Sequence, residues 1–172
     1  MRIENEQLNQ LMNGIRIADK ADLLLISSLA REIWPVAYQH VLSNEQIQFM
    51  LADIYSLVSL EQQMMNGATF LIAEENDVPI GFTSFSSSDR QVYRIHKLYI
   101  LPECQNRGIG AQLISYIASL AKKAGGEALE LNVNRNNPAV GFYKKLGFQI
   151  QAEVDIPYHH FVLNDYVMRL PL

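Results

Sequence analysis

The segment Gln105-Asn106-Arg107-Gly108-Ile109-Gly110 combines amides, a cation and two glycines, directly after an apolar run that ends at Pro102. Glycines so placed let backbone N–H groups approach an anion with no side chain in the way. The first N–H groups of a helix lack intrahelical partners, and the helix dipole favours negative charge beside them. The chemistry expected here is the binding of a phosphate or diphosphate, with Arg107 adding positive charge at the rim. A nucleotide P-loop needs a Gly-Lys-Ser/Thr ending that is absent, and a dinucleotide fingerprint needs a third glycine where the chain has Leu113. Read alone, Gly108-x-Gly110 also suits an ordinary helix start.

The elements that must position this loop follow from periodicity. Ile15-Arg16-Ile17 reads as a short strand. Asp19 or Asp22 caps a helix that runs to Trp34 and ends at Pro35. Ser43 and Gln46 have capping-box spacing and open a helix with Ile47, Met50, Leu51 and Ile54 on one face. Three strands follow, over Thr69–Ala73, Pro79–Phe85 and Gln91–Leu101, as an antiparallel meander turning at Asn76-Asp77. From Gly108 a helix carries Ile109, Leu113, Ile117, Leu120 and Ala124 on one stripe until Gly125-Gly126 stops it. Leu129, Leu131 and Val133 alternate with polar residues as a strand. Asn137-Pro138 starts a helix that Gly147 ends, and two strands cover Phe148–Asp155 and His160–Leu170. The order predicts an α/β fold: a mixed, mostly antiparallel sheet of about seven strands flanked by helices. The strand-helix-strand from Tyr93 to Val133 is its parallel crossover.

Bulk properties narrow the class. The 172 residues suit one domain, 1–172, with 1–13 as a polar leader or first helix. A net charge of −4 argues against a nucleic-acid partner. One cysteine and four histidines exclude an internal disulfide and argue against a zinc site, so no metal is expected. The polar N-terminus lacks a signal-peptide core, and no apolar run is long enough to span a membrane; the expected location is cytoplasmic.

The loop does not stand alone. Gln105-x-x-Gly108-x-Gly110 after Leu98-Tyr99-Ile100-Leu101-Pro102 resembles motif A of the GNAT N-acetyltransferase superfamily. The segment Asn136-Asn137-Pro138-Ala139-Val140-Gly141-Phe142-Tyr143-Lys144-Lys145-Leu146-Gly147-Phe148 resembles its motif B. The resemblance covers roughly Ile15 to Leu170. It implies that the strand from Tyr93 splays from its neighbour near Leu98 to Ile100 and that acetyl-CoA enters the gap. Backbone groups of Leu98, Tyr99 and Ile100 would meet the acetyl and pantetheine portions. Gln105, Asn106 and the backbone N–H groups from Arg107 through Gly108, Ile109 and Gly110 to Ala111 would hold the pyrophosphate. Asn136 would contact pantetheine, with Ala139, Phe142 and Lys145 flanking the CoA and the Tyr143 hydroxyl near the sulfur.

The implied activity is transfer of the acetyl group of acetyl-CoA to a primary amine, by direct attack in a ternary complex. The enzyme must then deprotonate an ammonium, stabilise an oxyanion and protonate a thiolate. Tyr143 is the acid the resemblance implies; its other reading is a packed aromatic. His96 is the candidate base, sharing a face with Leu98 and Ile100 by period-two alternation, and Arg94 on that face is a substrate-orienting charge. His96 also suits a half-buried structural role. His159 and His160 begin the last strand, where such folds shape the acceptor pocket. Cys104, with no activating base nearby in sequence, reads as a free thiol.

Trp34-Pro35-x-x-Tyr38, Leu42-Ser43-x-Glu45-Gln46-Ile47, Ile95-His96-Lys97-Leu98-Tyr99 and Asn164-Asp165-Tyr166 resemble the PaiA-type branch of the superfamily. That implies a small-molecule amine such as a polyamine. Trp34 and Tyr38 suit a cation through their ring faces, or pack the helix pair. The alternatives are a protein or peptide N-acetyltransferase and a non-catalytic acyl-CoA sensor. A homodimer is compatible with either.

Overall fold

The structure, a computed structural model, describes residues 14–88 and 91–172. The expected leader, 1–13, lies outside them. Seven strands form one sheet: β1 (Ile15–Ile17), β2 (Thr69–Glu75), β3 (Val78–Ser87), β4 (Val92–Ile100), β5 (Ala128–Asn134), β6 (Gln149–Tyr158) and β7 (Phe161–Pro171). Their order is β1-β2-β3-β4-β5-β7-β6, and only β4 and β5 pair in parallel. Five helices flank the sheet: α1 (Leu23–Tyr38), α2 (Asn44–Ile54), α3 (Leu57–Met65), α4 (Ile109–Lys123) and α5 (Ala139–Lys145).

Phe70, Leu71, Ile72 and Ala73 of β2 are all buried, so both faces of that strand are covered. Phe82, Lys97 and Tyr99 share one face, under α1 and the chain around Tyr55. α4 crosses β2, β4 and β5 with Leu113 and Ile117 fully buried. Burying each such side chain contributes about 1.5–3 kcal/mol. Gly81 is required where β3 meets β4, because a Cβ there would lie 2.5 Å from the Tyr99 carbonyl oxygen.

Three differences from the sequence reading have physical causes. α1 does not end at Pro35; it continues to Tyr38. The ring removes one backbone donor, and the stacking of Trp34 on Tyr38, with centroids 4.6 Å apart, helps hold the last turn in place. Ser43 does cap α2, accepting from the Gln46 N–H at 3.1 Å, but the Gln46 side chain turns inward to the Met50 sulfur, so the reciprocal bond of a capping box is missing. The helix α3 was not expected. Ser56 caps it through the Ser59 N–H, and Leu60 anchors it in the core.

α3 has a second role. Its Gln63 Oε1 accepts from Lys97 Nζ at 2.6 Å, and that ammonium lies over the rings of Tyr55 (5.6 Å) and Phe70 (5.7 Å). No carboxylate pairs with Lys97 among the described residues. Burial lowers its pKa from 10.5 to about 8. Below pH 8 Lys97 is protonated both folded and unfolded, and folding bears the full cost of burying the charge, about 3 kcal/mol. Between pH 8 and 10.5 the folded protein gives up the proton first, so stability rises with pH through that window. Lys97→Met is expected to stabilise the protein by about 1–2 kcal/mol at pH 7 and to flatten that rise. Thermal melts of both proteins from pH 6 to 10.5 check it.

Candidate active site

β4 and β5 pair only from Val92↔Ala128 to Ile95↔Leu131. Beyond that point both strands continue, β4 to Ile100 and β5 to Asn134, with no pairing between them. β5 is meanwhile held to β7 up to Asn134↔Asp165. The sheet therefore opens into a wedge, and backbone groups of β4 from His96 to Ile100 on that side have no ladder partner. A cleft of about 890 Å³ fills the wedge, lined by Leu98, Tyr99, Ile100, Asn132, Val133 and Asn134 among others. It is large enough for a sizeable ligand.

The glycine loop closes one end. A 3-10 turn, Pro102–Cys104, leads from β4, and the Gln105 amide donates to the Ile100 carbonyl at 3.1 Å, tying the loop to the strand end. Asn106 and Gly108 both take positive φ, 60° and 84°. Alternation of this kind turns successive N–H groups towards one concavity. No side chain caps α4. A Cβ on Gly108 would meet nothing within 4 Å, so space lies open over the loop, whereas one on Gly110 would press on the Phe142 ring at 3.1 Å. The loop thus fits a diphosphate: uncapped donors, a bared backbone and room. Asn106, Gly108, Ile109 and Gly110 line the cleft, while Ala111 lies in the first turn of α4 behind them. The Arg107 side chain is exposed and paired with Glu75, away from the cleft. Only its backbone belongs to the cradle.

α5 forms the opposite wall. Asn137 Oδ1 accepts from the Ala139 N–H at 2.9 Å and fixes the start of the helix. Asn136, Ala139, Phe142 and Tyr143 line the cleft; Lys145 is exposed and does not. The Tyr143 ring is wedged between Phe142 and Phe148, with centroids 5.2 and 5.6 Å away. Its hydroxyl makes no hydrogen bond to the described residues. Burial, and then the Tyr38 hydroxyl, raise its pKa, so it holds its proton throughout the physiological range.

The third wall is aromatic. Trp34 stands 5.8 Å from Tyr99 and donates from Nε1 to the Tyr55 hydroxyl at 3.2 Å. The Tyr38 and Tyr99 hydroxyls are 3.1 Å apart. The side chain of Tyr99 belongs to this cluster, and its backbone lies on the unpaired edge of β4.

A β-bulge alters the expected faces of β4. Ser84 pairs with Lys97 but Phe85 pairs with Ile95, which leaves His96 as the extra residue. Arg94 consequently shares the face of Lys97 and Tyr99, not that of Leu98 and Ile100. There it pairs with Glu130 at 3.2 Å and donates to Asn132 Oδ1 at 2.6 Å. His96 lines the cleft, with Nε2 2.8 Å from Ser86 Oγ. Desolvation in the cleft, then the Lys97 and Arg94 charges, lower its pKa to about 4. The shared face expected for His96 and Arg94 with Leu98 and Ile100 is therefore broken by one inserted residue.

His159 does not line the cleft. It sits at the β6–β7 turn with φ 53°, its ring 4.8 Å from Phe49 and its Nε2 3.5 Å from Asp53. His160 approaches Glu45 at 3.6 Å, and Tyr158 donates to Asp53. The hairpin tip is thereby docked on α2. Among the described residues no group of three or more metal-ligating side chains gathers, and no helix is long and apolar enough to cross a membrane.

Residues 25–148 match the model of the acetyltransferase (GNAT) family. An L-methionine sulfoximine/L-methionine sulfone acetyltransferase of Salmonella typhimurium is 30% identical over 145 residues, 81% of this chain and 82% of that one. A spermidine N(1)-acetyltransferase of Thermoplasma acidophilum is 29% identical over 80% of this chain and 88% of its own length. The crystal structure of a PaiA N-acetyltransferase from Thermoplasma acidophilum in complex with coenzyme A superposes with a TM-score of 0.80, at 27% identity, covering 92% of this chain and 98% of that one.

Proposed function

From the premise that the chain belongs to the GNAT acetyltransferase family and is an acetyl-CoA-dependent N-acetyltransferase, we propose that it acetylates a small, cationic primary amine of the polyamine class. The observation that carries this reading is the aromatic wall of the cleft, formed by Trp34, Tyr38, Tyr55 and Tyr99. α1 reaches past Pro35 to bring Tyr38 against Tyr99, with Trp34 beside both rings, and all three residues line the cleft. Ring faces of this kind suit a small cation. Two relatives named for small amine-bearing substrates, spermidine and methionine sulfoximine, support it.

Bound acetyl-CoA supplies an activated acetyl group. The chain's own residues do the rest. N–H groups from Arg107 to Ala111 meet the diphosphate. Unpaired N–H groups of β4 at the wedge supply donors to a developing oxyanion. Tyr143, protonated and facing the cleft, donates to the leaving sulfur. His96, neutral at physiological pH and held by Ser86, is too weak a base to keep the acceptor's proton and relays it towards solvent. Presenting an alkylamine as free base at pH 7 costs about 4–5 kcal/mol, and the half-desolvated cleft offsets part of it.

The reading is tested with acetyl-CoA and a panel of spermidine, putrescine, methionine sulfoximine and a lysyl peptide. We expect kcat/KM for spermidine or putrescine to exceed that for the peptide at least about tenfold, with an N-acetylated product by mass spectrometry. A peptide preference would overturn it.

A further inference from the structure

Asp165 lies on β7 opposite Asn134, beyond the last pairing of β4 with β5, and lines the same cleft as Tyr38 and Leu163. It is a carboxylate that makes no salt bridge among the described residues. Among the described residues its one side-chain partner, the Asn132 amide, is 3.5 Å away. The neighbouring guanidiniums are engaged elsewhere. Arg94 pairs with Glu130 and binds Asn132. Arg135 pairs with Asp155 and Glu153 and reaches Asp165 only at its backbone carbonyl, at 3.3 Å. Other carboxylates on this chain, such as Asp22, Glu74 and Glu130, have cations beside them. Burial raises the Asp165 pKa, against the opposing pulls of Asn132 and Arg135. Its negative charge also contributes to the raised pKa of Tyr38, after burial and Tyr99, and both residues line the cleft.

A partly buried carboxylate in a cleft that is also lined by Trp34 and Tyr38, with its local cations spent, is a receptor for a cation. Which cation follows from acid–base logic. A carboxylate stabilises the protonated form of an amine it touches. The reacting nitrogen must lose its proton before it attacks, so a group that holds the proton in place is misplaced there. We propose that Asp165 binds a second, non-reacting ammonium of the acceptor, so that the enzyme selects amines with two or more cationic centres over monoamines. Asn132 holds the carboxylate in position and is itself steadied by Arg94.

This inference rests on the proposed amine acetyltransfer, and its test keeps the two apart. Wild type and Asp165→Asn are compared with spermidine and with n-butylamine as acceptors, and spermidine is titrated into each protein's CoA complex by calorimetry. The wild type is expected to favour spermidine. In Asp165→Asn the ratio of the two kcat/KM values should fall about tenfold, mostly through KM, and spermidine affinity should fall about tenfold as well. A ratio and an affinity that match the wild type would overturn the assignment. Wild-type protein that binds spermidine but acetylates nothing would sink the acetyltransfer reading alone, and the loss of binding in Asp165→Asn would still decide this one. Should Asn fail to fold at this site, Asp165→Ser is measured in the same assays with the same criteria.

Discussion

Tyr143→Phe is expected to lower kcat about 100-fold at neutral pH while acetyl-CoA affinity stays within about twofold of wild type. The ring is fixed by Phe142 and Phe148 rather than by its hydroxyl, and phenylalanine fills the same space. The hydroxyl makes no bond to the described residues, so its removal leaves no protein partner unsatisfied. What disappears is one proton donor in the cleft. Burial raises the tyrosine's pKa, and the donor form persists across the assay range. The loss in kcat should therefore be nearly flat from pH 6 to 9. Steady-state thiol release over that range, with acetyl-CoA affinity by calorimetry, checks both halves. Unchanged turnover at every pH would remove Tyr143 from the mechanism.

Gly108→Ala is expected to weaken acetyl-CoA binding about 30-fold, or about 2 kcal/mol, while lowering stability by only about 1 kcal/mol. The residue sits at φ 84°, a conformation in which a Cβ is strained, and it caps α4. Sterically the folded protein tolerates the methyl group, since nothing lies within 4 Å. The open space is where the diphosphate is expected, so the methyl and any relaxation of φ act on the ligand. Losing even one well-aimed N–H to a charged oxygen costs about 1.5–3 kcal/mol. Calorimetric titration beside a thermal melt separates the two effects. An affinity loss no larger than the stability loss would place the diphosphate elsewhere.

The loop and the α5 wall were legible in the sequence because both depend on local rules. Gly108, Gly110 and the residues from Asn136 to Phe148 carry their geometry in neighbouring residue types, and the parallel crossover follows from a strand-helix-strand order. What escaped depends on partners far away in sequence. The bulge at His96 exists only because β3 pairs Ser84 with Lys97 and Phe85 with Ile95, so alternation along β4 alone mis-assigned the face of Arg94. Helix α3 is nine residues long, and its Ser56 cap and Leu60 anchor were a faint but readable signal. Lys97 was passed over because a lysine in a strand normally faces water; its cover comes from Tyr55, Gln63 and Phe70. Asp165 was visible as the one acidic residue between Leu163 and Val167 on β7, but its lack of a salt bridge among the described residues emerges only once Arg94 and Arg135 are seen bound to other acids.

The central claim is that the wedge between β4 and β5 joins an acetyl donor to an amine. One measurement addresses it most directly: coenzyme A release by the purified wild-type chain with acetyl-CoA, with and without spermidine. The account predicts release that depends on spermidine, saturates with it, and yields one N-acetylated product per thiol. Tight acetyl-CoA binding with no amine-dependent thiol, across polyamines, amino acids and lysyl peptides alike, would contradict it and leave a domain that binds the donor without using it.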